Sequence, residues 1–243
     1  ELPELSFIRT LDLSENSFIG TLPTELGRFT TLSELWLSDN NLNGTVPTEL
    51  GRLSRLESIY LSENNLTGTL PTELDKISSL ITLHLQENSF TGTLPTEIGQ
   101  LTELWELNVT LNQLNGTVPF ELGLLPNLWL LSLASNTFSG TIPTRLGELF
   151  NLDTLDLSEN SFTGTLPTEL GQLFELEELY VNNNNLNGTV PTELGQLSRL
   201  TILSLQDNMF SGTLPTELGK LSLEELNATE NEFSGTITPL WRA

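Results

Sequence analysis

Two residue types recur along this chain at a fixed interval. A Gly-Thr pair begins at Gly20 and returns every 24 residues as far as Gly212, with a last step of 23 residues to Gly235. An asparagine keeps the same interval from Asn16 to Asn231. Two columns that stay in phase over a whole chain are the signature of stacked structural repeats. The sequence therefore predicts a solenoid.

One unit shows why the repeats must stack. In residues 32–40, Leu35 and Leu37 alternate with polar residues, which predicts a short half-buried strand. Leu42, Val46 and Leu50 add apolar positions in the segment that follows. A single unit cannot bury this face, whereas units stacked strand beside strand at about 4.8 Å share one continuous core.

The unit has the pattern LxxLxLxxNxLxGxxPxxLGxLxx, which holds from Ile8 to Thr236. It resembles the plant-type leucine-rich repeat (LRR) of receptor-kinase ectodomains, polygalacturonase-inhibiting proteins and algal surface proteins. The resemblance implies an α/β-type solenoid: a right-handed horseshoe or superhelix. It also implies a parallel β-sheet on the concave side and a convex side that is mostly irregular or formed by short helices.

We expect a single LRR solenoid over residues 1–243. Residues 1–7 have the pattern of the tail of a preceding repeat, residues 8–222 form nine full repeats, and residues 223–243 form a partial tenth. The cysteine-bearing caps usual in extracellular members are missing, and an uncapped solenoid exposes apolar surface at its ends. We therefore expect a fragment of a longer chain whose further repeats or domains contact this segment.

Charge and composition exclude several classes of function. The chain has 9 Lys and Arg against 32 Asp and Glu, a formal charge of −23, which repels phosphate backbones and anionic lipids. We expect no nucleic-acid partner and no direct membrane contact in this segment. There is no cysteine and only one histidine, His84, so neither a thiolate site nor a paired-histidine zinc site is available. With no catalytic motif either, the chain is predicted to be non-enzymatic and without a cofactor.

Aromatic residues mark a candidate binding surface on the concave face. The residue between the two strand leucines points outward, and in three consecutive units it is Trp36, Tyr60 and His84. Trp105 and Trp129 lie three positions earlier in the next two units. Aromatic rings in register suit a protein, peptide or glycan ligand. The alternative is that each ring only covers the neighbouring strand, or packs on a segment outside this sequence.

Two acidic ladders follow the repeat. The strand ladder contains Glu15, Asp39, Glu63, Glu87, Glu159, Asp207 and Glu230. The second ladder, in the Pro-Thr-Glu-Leu segment of the repeat, contains Glu25, Glu49, Glu73, Glu97, Glu121, Glu169, Glu193 and Glu217, with Arg145 interrupting it. These ladders predict a solvated acidic surface, with weak calcium binding as the alternative.

Six Asn-x-Ser/Thr sequons make the chain a candidate glycoprotein. They begin at Asn43, Asn65, Asn108, Asn115, Asn187 and Asn227. Together with the family resemblance they favour an extracellular or cell-surface location.

We therefore predict a non-enzymatic extracellular recognition module that binds its ligand on the concave face, as part of a cell-surface or secreted LRR protein. The alternative is a structural or adhesive surface or cell-wall protein without a discrete ligand, with ice binding as a remote variant. Threonine columns, predicted to form hydroxyl rows at strand spacing, motivate that variant. They begin with Thr21, Thr45 and Thr69, and with Thr24, Thr48 and Thr72.

Overall fold

The computed structural model describes residues 7–236 as a stack of ten coils that share two parallel ten-stranded sheets. Residues 1–6 of the expected tail and residues 237–243 of the partial tenth repeat lie outside the described residues. Each of the first nine coils contributes a strand to each sheet and then a 3-10 helix. The repeat pattern predicted only one of these two sheets.

The strands and helices have regular bounds. The first sheet contains Thr10–Asp12, Glu34–Trp36, Ser58–Tyr60, Thr82–His84, Glu106–Asn108, Leu130–Ser132, Thr154–Asp156, Glu178–Tyr180, Ile202–Ser204 and Glu225–Asn227. The second sheet contains Ile19–Thr21, Asn41–Gly44, Asn65–Gly68, Ser89–Thr93, Gln113–Gly116, Thr137–Gly140, Ser161–Thr165, Asn185–Gly188, Met209–Gly212 and Glu232–Phe233. The 3-10 helices are Thr24–Arg28, Thr48–Arg52, Thr72–Lys76, Thr96–Gln100, Phe120–Leu124, Thr144–Glu148, Thr168–Gln172, Thr192–Gln196 and Thr216–Lys220.

The first sheet keeps the register of the repeat. Trp36 pairs with Tyr60, and Tyr60 pairs with His84, so residues one repeat apart in sequence become lateral neighbours. This register brings the aromatic column together as predicted. The inward leucines of the same strands, such as Leu35 and Leu83, are fully buried.

The second sheet is staggered, which the sequence did not indicate. Thr21 pairs with Asn43, and Asn43 pairs with Asn65, each 22 residues further along instead of 24. Each coil is therefore displaced by two residues along the strand relative to its neighbour. The prediction that Thr21, Thr45 and Thr69 form a row at strand spacing is wrong. The residue paired with Thr21 on the next strand is Asn43 and not Thr45.

The asparagine column links neighbouring coils. The Asn136 side-chain amide donates to the carbonyl oxygens of Val109 at 2.9 Å, Leu133 at 3.2 Å and Ala134 at 3.0 Å, and its Oδ1 accepts from the Leu114 N–H at 2.9 Å. Asparagine can do this because a carboxamide has both donors and an acceptor. This column, here called the asparagine ladder, provides hydrogen-bond partners for backbone groups at the point where the chain leaves the first sheet.

The residue just before each ladder asparagine has left-handed backbone geometry. Its φ lies between 50° and 56° in all ten coils, in Glu15, Asp39, Glu63, Glu87, Leu111, Ser135, Glu159, Asn183, Asp207 and Glu230. The strand ladder of carboxylates therefore occupies a strained turn. The turn directs two successive N–H groups to the next coil: Leu111 donates to the Ala134 carbonyl at 3.0 Å and Asn112 to the Ser135 carbonyl at 3.2 Å.

Candidate ligand-binding surface

Three rings of the aromatic column form a contiguous cluster on the first sheet. The rings of Trp36 and Tyr60 are stacked, with centroids 4.2 Å apart and an interplanar angle of 27°. The ring of Tyr60 meets His84 edge-on at 4.9 Å and 85°. All three residues are half-buried, because the rings cover one another. We call Trp36, Tyr60 and His84 the ring cluster.

His84 is held by a carboxylate of the next strand. Its Nε2 lies 2.9 Å from Oε2 of Glu106. Burial lowers the pKa of His84 below its usual 6.5, and this effect exceeds the opposing attraction and hydrogen bond of Glu106. At neutral pH the uncharged imidazole therefore donates its Nε2–H to Glu106. This contact orients the histidine; the sequence placed His84 in the candidate binding surface but gave no sign of its carboxylate partner.

Trp105 and Trp129 lie apart from the ring cluster, where the chain enters the first-sheet strands. Their exposed fractions are 53% and 43%. Within residues 7–236 neither ring stacks on another ring, and about half of each residue is accessible. Both rings line an open pocket of about 340 Å³, here called the flank pocket. Its lining residues are Trp105, Asn127, Trp129, Asn151, Asp153, Glu175 and Arg199.

The polar groups of the flank pocket come from four successive coils. The side-chain amide of Asn127 donates to the Thr102 carbonyl at 3.0 Å, and that of Asn151 donates to the Pro126 carbonyl at 2.8 Å. At one end, the Arg199 guanidinium forms an ion pair with Glu175. These contacts fix the amides and leave their carbonyl oxygens available.

The structure thus divides the five predicted site residues into two groups. Trp36, Tyr60 and His84 are brought together, and Trp105 and Trp129 join a separate pocket with residues that sequence reasoning missed. The missed residues occupy two positions of the repeat unit. The position before the first leucine holds Asn127, Asn151, Glu175 and Arg199, and the position after that leucine holds Asp153. A comparison of those columns between neighbouring units could have revealed the pocket.

The first sheet also carries two perturbed acidic groups further along the same column. Burial raises the pKa of Asp156, although its Oδ1 accepts hydrogen bonds from the Ser158 N–H at 3.0 Å and the Ser158 hydroxyl at 2.6 Å. Burial, then the nearby Glu178 carboxylate, raises the pKa of Tyr180 to about 12. Tyr180 donates its hydroxyl to Glu178 at 3.1 Å. This end of the column is therefore a polar, hydrogen-bonded surface without stacked rings.

The sequons fall on two different faces. Asn43, Asn65, Asn115 and Asn187 are exposed on the second sheet. Asn108 and Asn227 are half-buried on the first sheet, and the Asn108 Oδ1 accepts from the Thr110 N–H at 3.0 Å. Glycans on the first four side chains would leave the ring cluster and the flank pocket uncovered.

Two other features do not make candidate sites. Among residues 7–236, no three His, Asp or Glu side chains come together in a way that could hold a metal ion, so the acidic ladders form no ready calcium cage. Another pocket, of about 600 Å³, lies at the end of the described stack and is lined by residues such as Leu218, Leu226 and Phe233. These leucine and phenylalanine columns are buried core in the inner coils, so the pocket is exposed core.

Comparison with known proteins identifies the fold family. The sequence profile of the Leucine Rich Repeat family matches seven segments, which together exceed half of the chain: residues 7–29, 31–53, 55–77, 79–101, 151–173, 175–197 and 199–221. The chain belongs to the leucine-rich repeat family. No curated protein sequence matches it significantly.

Solved structures show the plant-type variant that the repeat pattern predicted. The crystal structure of a TDR receptor is 35% identical, with a TM-score of 0.92 over 94% of this chain and 40% of that one. The Arabidopsis receptor kinase HAESA, solved with the peptide hormone IDA and the co-receptor SERK1, is 37% identical, with a TM-score of 0.91 over 94% and 39%. A plant ice-binding protein is 28% identical, with a TM-score of 0.83 over 93% and 74%.

This LRR chain spans about two fifths of the length of those two receptor chains. Within residues 7–236, no helix has the length and apolar character that a membrane crossing requires.

Proposed function

We propose that this LRR segment recognises a peptide or protein ligand outside the cell, on the side of the solenoid formed by the first sheet. The observation that carries the proposal is the grouping of aromatic side chains there, the ring cluster on the strands and two half-exposed indoles at the flank. Aromatic side chains dominate the energetics of protein recognition surfaces. A rigid solenoid also holds them at fixed separations, which limits the entropy lost on binding.

The solved structures that resemble this chain also support recognition of a peptide. HAESA was solved with a peptide hormone and a co-receptor, and RGFR1, 36% identical to this chain, with the peptide RGF2. These receptors give the proposal its ligand class, a peptide, and its extracellular setting. A glycan ligand has no comparable support among these neighbours, so we propose a peptide or protein first.

A display selection tests the proposal. A random peptide library is selected against the 243-residue chain, and enriched peptides are measured against Trp129→Ala and Trp36→Ala variants whose folding is checked by circular dichroism. We expect enriched peptides that bind at least about fivefold more weakly to one of these variants, since an anchoring aromatic contributes about 1 kcal/mol or more. Failure to enrich any peptide, or equal binding to both variants and the parent, would contradict the proposal.

A second candidate is attachment to an uncharged ordered surface, ice included, through the second sheet. Nine successive segments contain no charged residue in a chain of net charge −23: residues 17–21, 41–45, 65–69, 89–93, 113–117, 137–141, 161–165, 185–189 and 209–213. The resemblance to a plant ice-binding protein supports this candidate. The stagger of the sheet weighs against it, as does the second threonine column, where for example Thr96 bonds the Glu97 carboxylate at 3.2 Å.

Thermal hysteresis decides between the two candidates. Ice attachment predicts hysteresis and shaped ice crystals that are lost in a Thr93→Lys/Thr117→Lys variant. Peptide recognition predicts neither effect in the parent chain.

A further inference from the structure

We propose that the flank pocket binds a basic side chain, arginine or lysine, of a peptide ligand. The inference rests on the proposed function, because it specifies the chemistry of one anchor in the ligand bound there. Four observations carry it: the acceptors of the pocket, its two half-exposed indole rings, its acidic surroundings and its size.

The available hydrogen-bonding groups of the pocket are mainly acceptors. The amides of Asn127 and Asn151 each donate to a backbone carbonyl, at 3.0 and 2.8 Å, so their Oδ1 atoms remain for a ligand. The carboxylate of Asp153 accepts one hydrogen bond, from the Thr154 hydroxyl at 3.0 Å, and has no cationic partner in the described coils. A guanidinium or ammonium carries only donors and complements such a set. A neutral sugar needs donors as well as acceptors.

The indole rings add attraction for the same charge. Trp105 and Trp129 are about half exposed, and a cation over an indole face is attracted by the ring quadrupole. The ring cluster cannot offer this surface in the same way, because Trp36 and Tyr60 are stacked on each other.

Acidic groups surround the pocket on both sides. Glu103 occupies the repeat position of Asn127 in the coil before it, and Glu177 occupies the position of Asp153 in the coil after it. The pocket also contains a native example of the proposed contact, since the Arg199 guanidinium pairs with Glu175 at its end. A side chain from a ligand would extend this arrangement to Asp153.

The pocket size fits one side chain. Its volume of about 340 Å³ is at the small end of ligand pockets, which span roughly 300–1,000 Å³. We therefore assign it to a single anchor residue within a longer ligand.

Fluorine NMR of the 243-residue chain, labelled with 5-fluorotryptophan, tests the inference. The chain has four tryptophans, and Trp→Phe variants assign their signals. The probe is acetyl-Gly-Arg-Gly-amide, and the matched probe carries citrulline, which keeps the shape of arginine without its charge. We expect the Trp105 and Trp129 signals to move with the arginine peptide and not with the citrulline peptide, while the Trp36 signal stays in place.

Variants that change the charge of the pocket give a second test, in which the affinity for the arginine peptide is measured. Asp153→Asn should weaken the arginine peptide by roughly threefold to fivefold, the range expected for a partly exposed ion pair. Arg199→Gln should strengthen it, because Glu175 then loses its internal partner, and misfolding could not produce such a gain. Asp75→Asn removes the same charge from a distant 3-10 helix. It should change the affinity for the arginine peptide only by the small general effect of net charge.

Equal responses to arginine and citrulline, or a response to cellobiose at the same concentration, would overturn the basic-side-chain inference. An Asp153→Asn variant with unchanged affinity would overturn it as well. If the display selection meanwhile yields peptides that depend on Trp129 but contain no basic residue, peptide recognition stands and only this inference fails.

Discussion

The Nε2 atom of His84 lies 2.9 Å from the Oε2 atom of Glu106, one strand away on the first sheet. The histidine also meets the ring of Tyr60 edge-on, so one titratable group connects the ring cluster to the acidic surface beside it. Burial is the larger influence on the histidine and favours its neutral form. The imidazole in the folded ring cluster therefore becomes protonated only below the usual pKa of histidine.

The folding stability contributed by His84 should fall on acidification. Its folded pKa is lowered from 6.5, so the unfolded chain binds more protons as the pH drops. The stability that His84 contributes is fully present above about pH 6.5, the pKa of the unfolded chain. It is lost as the pH falls through the lower pKa of the folded state. Denaturant melts at pH 7.5, 6.5 and 5.5 should show a steeper loss in the parent than in His84→Gln. Parallel curves for the two proteins would show that His84 is not buried as described.

Replacing one ladder asparagine should destabilise the solenoid strongly. Asn136→Ala removes a carboxamide that bonds four backbone groups of two neighbouring coils. Since a buried group left without a partner costs about 1–3 kcal/mol, the loss should be at least about 3 kcal/mol. Asn185→Ala, at an exposed position of the second sheet, is the matched control and should change stability little. Chemical denaturation measures both, and comparable losses would contradict the ladder's role.

Relieving backbone strain at Leu111 should stabilise the chain. Leu111 has φ 54° and is 49% exposed, so it gains little from burial while it holds a geometry that costs a non-glycine residue about 1–2 kcal/mol. Leu111→Gly should raise the unfolding free energy by about 0.5–1 kcal/mol after the entropy cost of glycine. Leu111→Ala keeps the strain and serves as the control. A glycine variant no more stable than the alanine variant would indicate that the turn is unstrained.

Stability should rise with ionic strength. Residues 7–236 contain two ion pairs between permanently charged side chains, Arg145–Glu148 and Arg199–Glu175, against two ladders of like charge, so salt screens more repulsion than attraction. Thermal melts in 20 mM and 300 mM NaCl should show a higher midpoint in the second. Because the described residues hold no three-group cluster, we expect CaCl2 at matched ionic strength to give the same midpoint as NaCl. A larger rise with calcium would restore the alternative of weak calcium binding.

Much of the architecture was predictable because each local sequence pattern recurs in every repeat. Leu35 and Leu37 predicted the first sheet, and its register of 24 then made Trp36, Tyr60 and His84 neighbours. The asparagine ladder was predictable from the hydrogen-bonding capacity of the side chain.

Other features had no comparable sequence signal. The second sheet includes Gly44, with φ 75°, so its segment resembles a turn, and its stagger cannot be read from a period of 24. The left-handed position holds residues as different as Glu15, Leu111 and Ser135, and their identities give no hint of the backbone geometry. The flank pocket depends on polar side chains from four coils, which a search for aromatic residues passes over.

Oxidative footprinting of the chain, with and without a peptide from the display selection, tests the central claim most directly. Trp129 at the flank pocket and Met209 on the second sheet are 43% and 42% exposed, so each is accessible on one of the two candidate faces, and each is compared with itself with and without peptide. Recognition on the first-sheet side predicts that bound peptide protects Trp129 from hydroxyl radicals and leaves the oxidation of Met209 unchanged. Protection of Met209 with Trp129 unchanged would contradict the account and place binding on the second sheet.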